Sequence, residues 1–193
     1  MIVGKVWDSE YPWDVRVEKV GKAITEAGHR VVLACRNRRR AELTEQREEA
    51  EVHRMPPLER VPALEGLSSF PAFVNPRWYR HLSRTFSAQR VDLVLCRDLP
   101  LGPLALAVAR RLGVPFFIDI AEHYPGLLKD LYNRRDFRVT NLLVRNPVLA
   151  AGVERWLLPR ADGVWVVVDE MAERLARMGV ARDRITLVSN TPL

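Results

Sequence analysis

Short apolar segments with strand character alternate with amphipathic segments of helical periodicity along almost all of the 193 residues. The apolar segments that we interpret as strands are residues 2–7, 30–34, 52–55, 91–96, 114–120, 162–168 and 184–188. Between them, apolar residues recur every three or four positions, as Val17, Val20 and Ile24 do, which is typical of a helix with one buried face. This alternation predicts an α/β domain, a Rossmann-like parallel sheet with helices on both faces.

Capping residues mark the ends of several predicted helices. Asp14 is placed to cap a helix over residues 14–27, which Gly28 ends. A second helix over residues 100–112 is opened by Asp98 and Pro100 and closed by Gly113. Further helices are predicted over residues 77–89, over residues 137–158 with an interruption near Pro147, and over residues 170–178.

Three segments do not follow the alternation. Residues 41–50 are charged and predict either a short helix or an exposed excursion. Residues 56–76 hold five prolines among apolar residues, a composition that predicts a long irregular loop. Residues 121–136 are interpreted as a polar connection with some helical turns.

The composition is that of a globular domain, with 48% apolar and 28% charged residues. No apolar run approaches the roughly 20 residues of a membrane-spanning helix, and the first residues do not resemble a signal peptide. We therefore expect a cytoplasmic location and reduced thiols at Cys35 and Cys96. No Cys/His cluster has metal-ligand spacing, so no metal site is predicted.

The net charge of +6 indicates either an anionic partner or simply a solvated basic surface. The predicted helix over residues 77–89 concentrates this charge, since Arg77, Arg80 and Arg84 accompany Trp78 and Phe86. Such a helix can lie on an anionic membrane surface. It can equally be an ordinary amphipathic helix that packs its aromatic residues into the core.

The candidate site follows from the topology, because ligands of parallel sheets bind at the carboxyl ends of the strands. Arg97 and Asp98 follow one strand, and Asp98 either accepts hydrogen bonds from sugar hydroxyls or caps the next helix. Glu122, His123 and Tyr124 follow the next strand and together could orient a polyol or move a proton.

The loop over residues 8–13 lacks the glycine-rich fingerprint of dinucleotide-binding folds, which disfavours that function. The helix that follows still points its backbone N–H groups toward the predicted cleft, where an anion is favoured. Asp14 is either a simple cap or part of the site, and Arg16 either meets a phosphate or is solvated.

Five segments taken in order resemble the N-terminal part of family 4 glycosyltransferases of the GT-B fold. They are residues 11–19, 27–31, 98–102, 161–175 and 185–190, so that the resemblance covers essentially the whole chain. It implies that residues 1–193 form a single Rossmann-like acceptor-side domain, one half of a GT-B fold. A C-terminal donor-binding domain, absent from these residues, is expected to follow.

The resemblance also implies a reaction and its partners. A sugar is transferred with retention of configuration from a nucleotide-sugar to a glycan or lipid-linked acceptor, without a metal or further cofactor. Many members act at the cell envelope, so we expect peripheral contact with the inner face of an anionic membrane and no nucleic acid partner. By itself, the domain is expected to be folded and nearly inactive.

By the same resemblance, Glu122 and His123 are the catalytic candidates. The acceptor-binding candidates are Arg97, Asp98 and Tyr124, and those near the donor phosphates are Tyr11, Asp14 and Arg16. The membrane-surface candidates are Arg77, Trp78, Arg80 and Arg84. Ala121 stands where the family often has a histidine.

A different class of function fits the same chain. A non-catalytic basic α/β module that binds a polyanion or an anionic membrane surface has the same charge and the same predicted fold. Strong weakening of such binding by salt would identify it.

Overall fold

The computed structural model of the chain describes residues 1–12, 14–58, 72–132 and 146–190. These residues form an eight-stranded sheet in the order β3-β4-β2-β1-β5-β6-β7-β8. The strands are β1 (Ile2–Val6), β2 (Arg30–Cys35), β3 (Thr44–Gln46), β4 (Glu51–Arg54), β5 (Leu93–Arg97), β6 (Phe116–Ile120), β7 (Gly163–Val166) and β8 (Ile185–Leu187). All neighbours pair in parallel except β3, which runs antiparallel to β4.

Helices connect the parallel strands and cover both faces of the sheet. They are α1 (Val15–Glu26), α2 (Pro76–Gln89), α3 (Gly102–Leu112), α4 (Tyr124–Tyr132), α5 (Pro147–Leu157) and α6 (Asp169–Arg177). The order of the strands reverses at β1, so that β1 pairs with β2 on one side and with β5 on the other. The predicted Rossmann-like α/β fold is thereby confirmed.

Successive side chains of each strand point to opposite faces of the sheet. On one face, Val6 and Val94 belong to the large core cluster that contains the apolar residues of α2 and α3. On the other face, Val3 and Leu95 pack against Val20 of α1. The face a side chain occupies therefore follows from its position in the strand.

Two predicted helix boundaries are confirmed by backbone geometry. Asp14 caps α1, and its Oδ1 accepts a hydrogen bond of 2.9 Å from the N–H of Val17. Gly113 ends α3 with a positive φ of 70°, in the left-handed region that favours glycine. Pro147 begins α5, and Asn146 caps the helix there.

Other local predictions need correction. Residues 41–50 contain the edge strand β3 instead of a helix, and residues 121–136 contain the regular helix α4. The helix after β5 begins at Gly102, and Leu101 occupies its N-cap without a side-chain hydrogen bond, so Asp98 is not its cap. Residues 59–71 of the proline-rich loop and residues 137–145 of the predicted long helix lie outside the described residues.

Trp78 was a candidate for a membrane-binding surface, with packing into the core as the alternative, and the structure shows the packed arrangement. Its side chain is 0% exposed in the core beneath α2, and the guanidinium of Arg36 lies 5.8 Å from its ring centroid. Cys35 and Cys96 are free thiols, and both are completely buried. Within the described ranges, no helix has both the length and the apolar character needed to cross a membrane.

Candidate functional site

A cavity of about 700 Å³ opens at the carboxyl edge of the sheet, where α1 begins and where β5, β6 and β8 end. Ligands of open parallel sheets bind at this edge. The polar lining includes Asp14, Arg16, Lys19, Arg97, Glu122 and Asn190. The segments after β5 and β6, in which the sequence predicted site residues, thus meet the start of α1 at one cavity.

A buried ion pair lies beside this cavity and joins three parts of the chain. Arg16 donates from Nε to Asp119 Oδ2 over 2.9 Å and from Nη2 to Asp119 Oδ1 over 2.6 Å. Its third nitrogen, Nη1, donates to Asn190 Oδ1 over 2.9 Å. Arg16 is 8% exposed and Asp119 is 1% exposed. The pair therefore fixes the first turn of α1 against β6 and against the segment after β8.

This pairing changes the role expected for Arg16. The residue does line the cavity, as its predicted position near the donor phosphates requires. Its guanidinium is already held in a bidentate pair with Asp119, so its charge is neutralised within the protein. Arg16 is therefore neither solvated nor a free charge, and its contact with the donor phosphates stays a prediction.

Lys5 of β1 lies fully buried under the same edge. Its Nζ donates to the carbonyl of Val17 over 2.9 Å, which ties the central strand to the first turn of α1. Desolvation by burial lowers the pKa of Lys5 to about 7, although the nearby Asp119 acts in the opposite direction. Lys5 thus supports the first turn of α1 from the central strand, at a position where burial disfavours its charged form.

Arg97 ends β5 and connects the two aspartates of the site. It donates from Nη1 to Asp98 Oδ1 over 2.9 Å, and its Nη2 lies 3.7 Å from Asp14 Oδ2. The guanidinium also lies 5.7 Å from the ring centroid of Trp7. Its buried Nε has no hydrogen-bond partner among the described residues. Arg97 lines the cavity, and its contact with an acceptor stays a prediction.

Asp98 is buried behind Arg97 and is absent from the residues that line the cavity. Its φ of 62° lies in the left-handed region. Its Oδ1 accepts a hydrogen bond from the N–H of Ala121, directly after β6, over 3.3 Å. Burial raises the pKa of Asp98 to about 7, against the lowering effect of Arg97. Asp98 therefore links two strand ends and does not present its carboxylate to a ligand in this cavity.

The side chains of the consecutive residues Glu122, His123 and Tyr124 have different surroundings, although the sequence placed them in one pocket. Glu122 is exposed and lines the cavity. The His123 ring lies against Gly126, where an added Cβ would come within 2.7 Å of Nδ1. Tyr124 is half-buried against the main core cluster, and burial raises its pKa. Only Glu122 of this group belongs to the cavity lining.

The other two candidates near the donor phosphates, Asp14 and Tyr11, lie in different surroundings. Asp14 lines the cavity while it caps α1. Tyr11 is 3% exposed, and its hydroxyl donates to Glu49 while the Arg47 guanidinium lies 5.8 Å from its ring centroid. Tyr11 is thus a core residue beside the hairpin of β3 and β4, and it is absent from the cavity lining.

The remaining candidates lie on α2. Arg80 and Arg84 are exposed, whereas Arg77 is half-buried and donates to the carbonyl of Pro56. The three arginines therefore occupy the outer surface of the helix whose aromatic face, with Trp78, is buried.

Sequence reasoning missed Lys5 and Asp119. Both interrupt apolar strands that were expected to be covered on both faces, and this interruption was the available signal, because charged residues are rarely buried without a partner. Asp119 in particular lies within residues 114–120, which were interpreted as a nearly all-apolar strand. Within the described ranges, no group of three His, Cys, Asp or Glu side chains is arranged to hold a metal ion.

Residues 14–191 match the sequence model of a glycosyl transferase 4-like domain. The chain belongs to this family. No curated protein sequence matches it. The match begins at the cap of α1 and extends past β8, so it includes every residue of the cavity lining.

Solved structures similar to this domain include two transferases and an epimerase. Sucrose-phosphate synthase from Thermosynechococcus elongatus aligns with a TM-score of 0.64 at 15% identity, over 97% of this chain and 47% of that chain. Phytolacca americana UGT2, solved with UDP-2-fluoroglucose and pterostilbene, aligns with a TM-score of 0.60 at 13% identity, over 98% and 54%. UDP-GlcNAc 2-epimerase from Methanocaldococcus jannaschii aligns with a TM-score of 0.54 at 10% identity, over 98% and 46%.

The chain therefore spans about half the length of these proteins. At these identities the likeness shows the fold, the α/β sheet that makes up one half of the GT-B glycosyltransferases. The presence of an epimerase among the similar structures shows that this fold alone does not define the reaction.

Proposed function

We propose that this chain is the N-terminal, acceptor-side domain of a retaining glycosyltransferase that moves a sugar from a nucleotide-sugar to an acceptor. Family membership supports the reaction class. The observation that carries the proposal for the site is the polar cavity of about 700 Å³ at the carboxyl edge of the sheet. That volume lies within the usual range for small-molecule sites. In this proposal, a C-terminal domain closes the cavity and holds most of the donor.

Glu122 is the residue to which we assign the acceptor hydroxyl. It is an exposed carboxylate in the cavity lining, and a carboxylate can accept a hydrogen bond from a hydroxyl and orient it for attack. Arg97 supports this arrangement because it lies at the same edge and holds Asp14 and Asp98 beside it. His123 is left out of the proposed catalytic group, because its ring is not part of the lining.

For the donor, we propose a nucleotide-sugar, by similarity to the UDP-sugar analogue bound to Phytolacca americana UGT2. The polar groups nearest to its phosphates in this half of the cleft would be Lys19, Ser189 and Asn190, which line the side of the cavity. The pairing of Arg16 with Asp119 supports this choice over Arg16 itself.

The acceptor class is proposed on charge. A net charge of +6 favours a negatively charged acceptor or surface. Among glycan and lipid-linked acceptors of the cell envelope, those that carry acidic or phosphate groups meet that condition. Such an acceptor would place the enzyme at the inner face of the membrane, held there by electrostatic contact alone, because the Trp78 side chain is unavailable.

The test is release of a nucleoside diphosphate by the complete product of the gene that encodes this chain. It would be incubated with UDP-, GDP- and ADP-sugars and with extracts that contain lipid-linked acceptors. We expect acceptor-dependent release from one class of donor, and the anomeric configuration of the product, read by NMR, should equal that of the donor. Glu122→Gln should lower kcat/KM at least tenfold, or about 1.4 kcal/mol of transition-state stabilisation.

Glu26→Gln is the matched control, because it removes an equal charge at an exposed position at the other end of α1. It should leave kcat/KM unchanged. Wild-type turnover in Glu122→Gln would remove Glu122 from the site. Absence of nucleoside diphosphate release from all donors would overturn the transferase proposal and favour the basic binding module.

A further inference from the structure

A second concavity, of about 450 Å³, lies between α2 and α3. Its polar lining consists of Tyr79, Arg80, Ser83, Arg84 and Ser87 from α2 and Arg111 from α3. We refer to it as the α2–α3 groove. Among the described residues that line it, none is acidic.

The three arginines of the groove carry uncompensated charge. Within the described part of the chain, Arg80, Arg84 and Arg111 form no ion pair with a carboxylate. Arg80 and Arg84 are also four residues apart on one helix face, a spacing at which like charges repel. An anion in the groove would relieve that repulsion.

Tyr79 and Ser83 add hydroxyl groups to the same groove. The side chain of Ser83 is 8% exposed and lines the groove beside Tyr79. Hydrogen bonding to Arg111 and to Ser83 lowers the pKa of the Tyr79 phenol. Two hydroxyl donors and three guanidinium groups thus surround one concavity.

The α2–α3 groove is separate from the cavity at the carboxyl edge. The buried face of α2 contributes Trp78 and Phe86 to the core cluster that contains Val6 and Val94. Ile118 of β6 belongs to the same core cluster, so its neighbour Asp119 points to the opposite face of the sheet. Arg16 of α1 pairs with Asp119 and therefore lies on that opposite face as well. The sheet therefore lies between the two concavities.

We infer that the α2–α3 groove binds a phosphate group. Arginine suits this ligand because its planar guanidinium donates two parallel hydrogen bonds to phosphate oxygens. The hydroxyl of Ser83 supplies a further donor from the floor of the groove. The phosphate belongs either to a soluble phosphorylated molecule or to a lipid headgroup, and this site is independent of the transferase function proposed above.

The test is a titration of the ¹⁵N-labelled chain with inorganic phosphate at constant ionic strength, followed by amide chemical shifts. We expect saturable shifts at Ser83, Arg84 and Ser87. Arg84→Gln and Arg111→Gln should each raise the Kd about tenfold, the loss expected for one charge-assisted hydrogen bond. Arg155→Gln, which removes an exposed charge on α5, is the control and should leave the Kd unchanged.

Ser83→Ala separates a binding role from a structural one. Because the Ser83 hydroxyl lines the groove beside Tyr79, the substitution should weaken phosphate binding, whereas loss of a purely structural hydroxyl would lower the free energy of unfolding and leave the Kd at its wild-type value. An unchanged Kd in Ser83→Ala and in both arginine variants would overturn the inference. Phosphate-induced shifts confined to the cavity around Glu122 would overturn it as well.

Vesicles identify the source of the phosphate. Cosedimentation with phosphatidylcholine vesicles that contain phosphatidylglycerol, lost in Arg84→Gln but kept in Arg155→Gln, supports the site and assigns it to a lipid headgroup. Saturable phosphate binding without cosedimentation supports it and assigns it to a soluble phosphorylated molecule. Absence of both phosphate binding and cosedimentation would contradict it.

Discussion

Arg16 and Asp119 form a buried bidentate ion pair that fixes the first turn of α1 to β6. The two residues are 103 positions apart in the sequence, so the pair forms only when the sheet is assembled. Asn190, at the far end of the described chain, accepts from the same guanidinium. One side chain therefore connects the three segments that surround the cavity.

Breaking this pair should destabilise the domain. Asp119→Ala and Arg16→Ala should each lower the free energy of unfolding by about 3–5 kcal/mol, because each leaves one buried charge without its partner. Urea unfolding measures the loss. The double variant Arg16→Met/Asp119→Leu should lose much less than the two single losses combined. Single losses below about 1 kcal/mol, typical of an exposed pair, would show that the pair is solvated.

Lys5 should make the free energy of unfolding depend on pH above neutrality. Its folded-state pKa of about 7 lies below the ordinary 10.5, so between these values the unfolded chain binds a proton that the folded chain lacks. The free energy of unfolding should therefore rise with pH in this window, by up to about 1.4 kcal/mol per pH unit. Lys5→Met should lose this rise, whereas the exposed Lys129→Met should retain it. Parallel pH curves for wild type and Lys5→Met would contradict the prediction.

Asp98 should make the free energy of unfolding depend on pH in the opposite sense below neutrality. Its folded-state pKa of about 7 lies above the ordinary 3.8, so between these values the folded chain binds a proton that the unfolded chain lacks. The free energy of unfolding should fall as pH rises through this window. Asparagine also tolerates the left-handed backbone. Asp98→Asn should therefore abolish this decrease in the free energy of unfolding. If wild type instead gained stability relative to Asp98→Asn as pH rose, the ion pair with Arg97 would outweigh burial.

Gly102 marks a close contact between the start of α3 and α5. A Cβ added at Gly102 would lie 2.3 Å from Leu157 Cδ2, and Leu157 is completely buried. Gly102→Ala should therefore cost about 1–3 kcal/mol in urea unfolding, as overpacked cores do. Gly152, within α5, has no atom within 4 Å of an added Cβ. Gly152→Ala should stabilise by about 0.5–1 kcal/mol, and equal effects of the two substitutions would refute the contact.

The alternation of strands and helices was sufficient to predict the sheet, because hydrophobic periodicity is a local property of the chain. The caps Asp14 and Gly113 were predicted for the same reason, since each depends on a few neighbouring residues. The short strand β3 was missed because its charged segment becomes a strand only through pairing with β4.

The site was less predictable, because its chemistry depends on contacts between distant residues. The position of Glu122 after β6 was enough to place it at the carboxyl edge. Whether Arg16 is paired or free was left open by the sequence, since Asp119 lies on another strand. The burial of Tyr11 likewise depends on Glu49, which is 38 positions away.

Two Michaelis constants report whether this domain binds the acceptor. They are the KM for the acceptor and the KM for the nucleotide-sugar, measured on the complete gene product with Glu122→Gln beside Glu26→Gln. We expect Glu122→Gln to change kcat or the acceptor KM and to leave the donor KM at its wild-type value. A change confined to the donor KM, or identical constants in both variants, would contradict it.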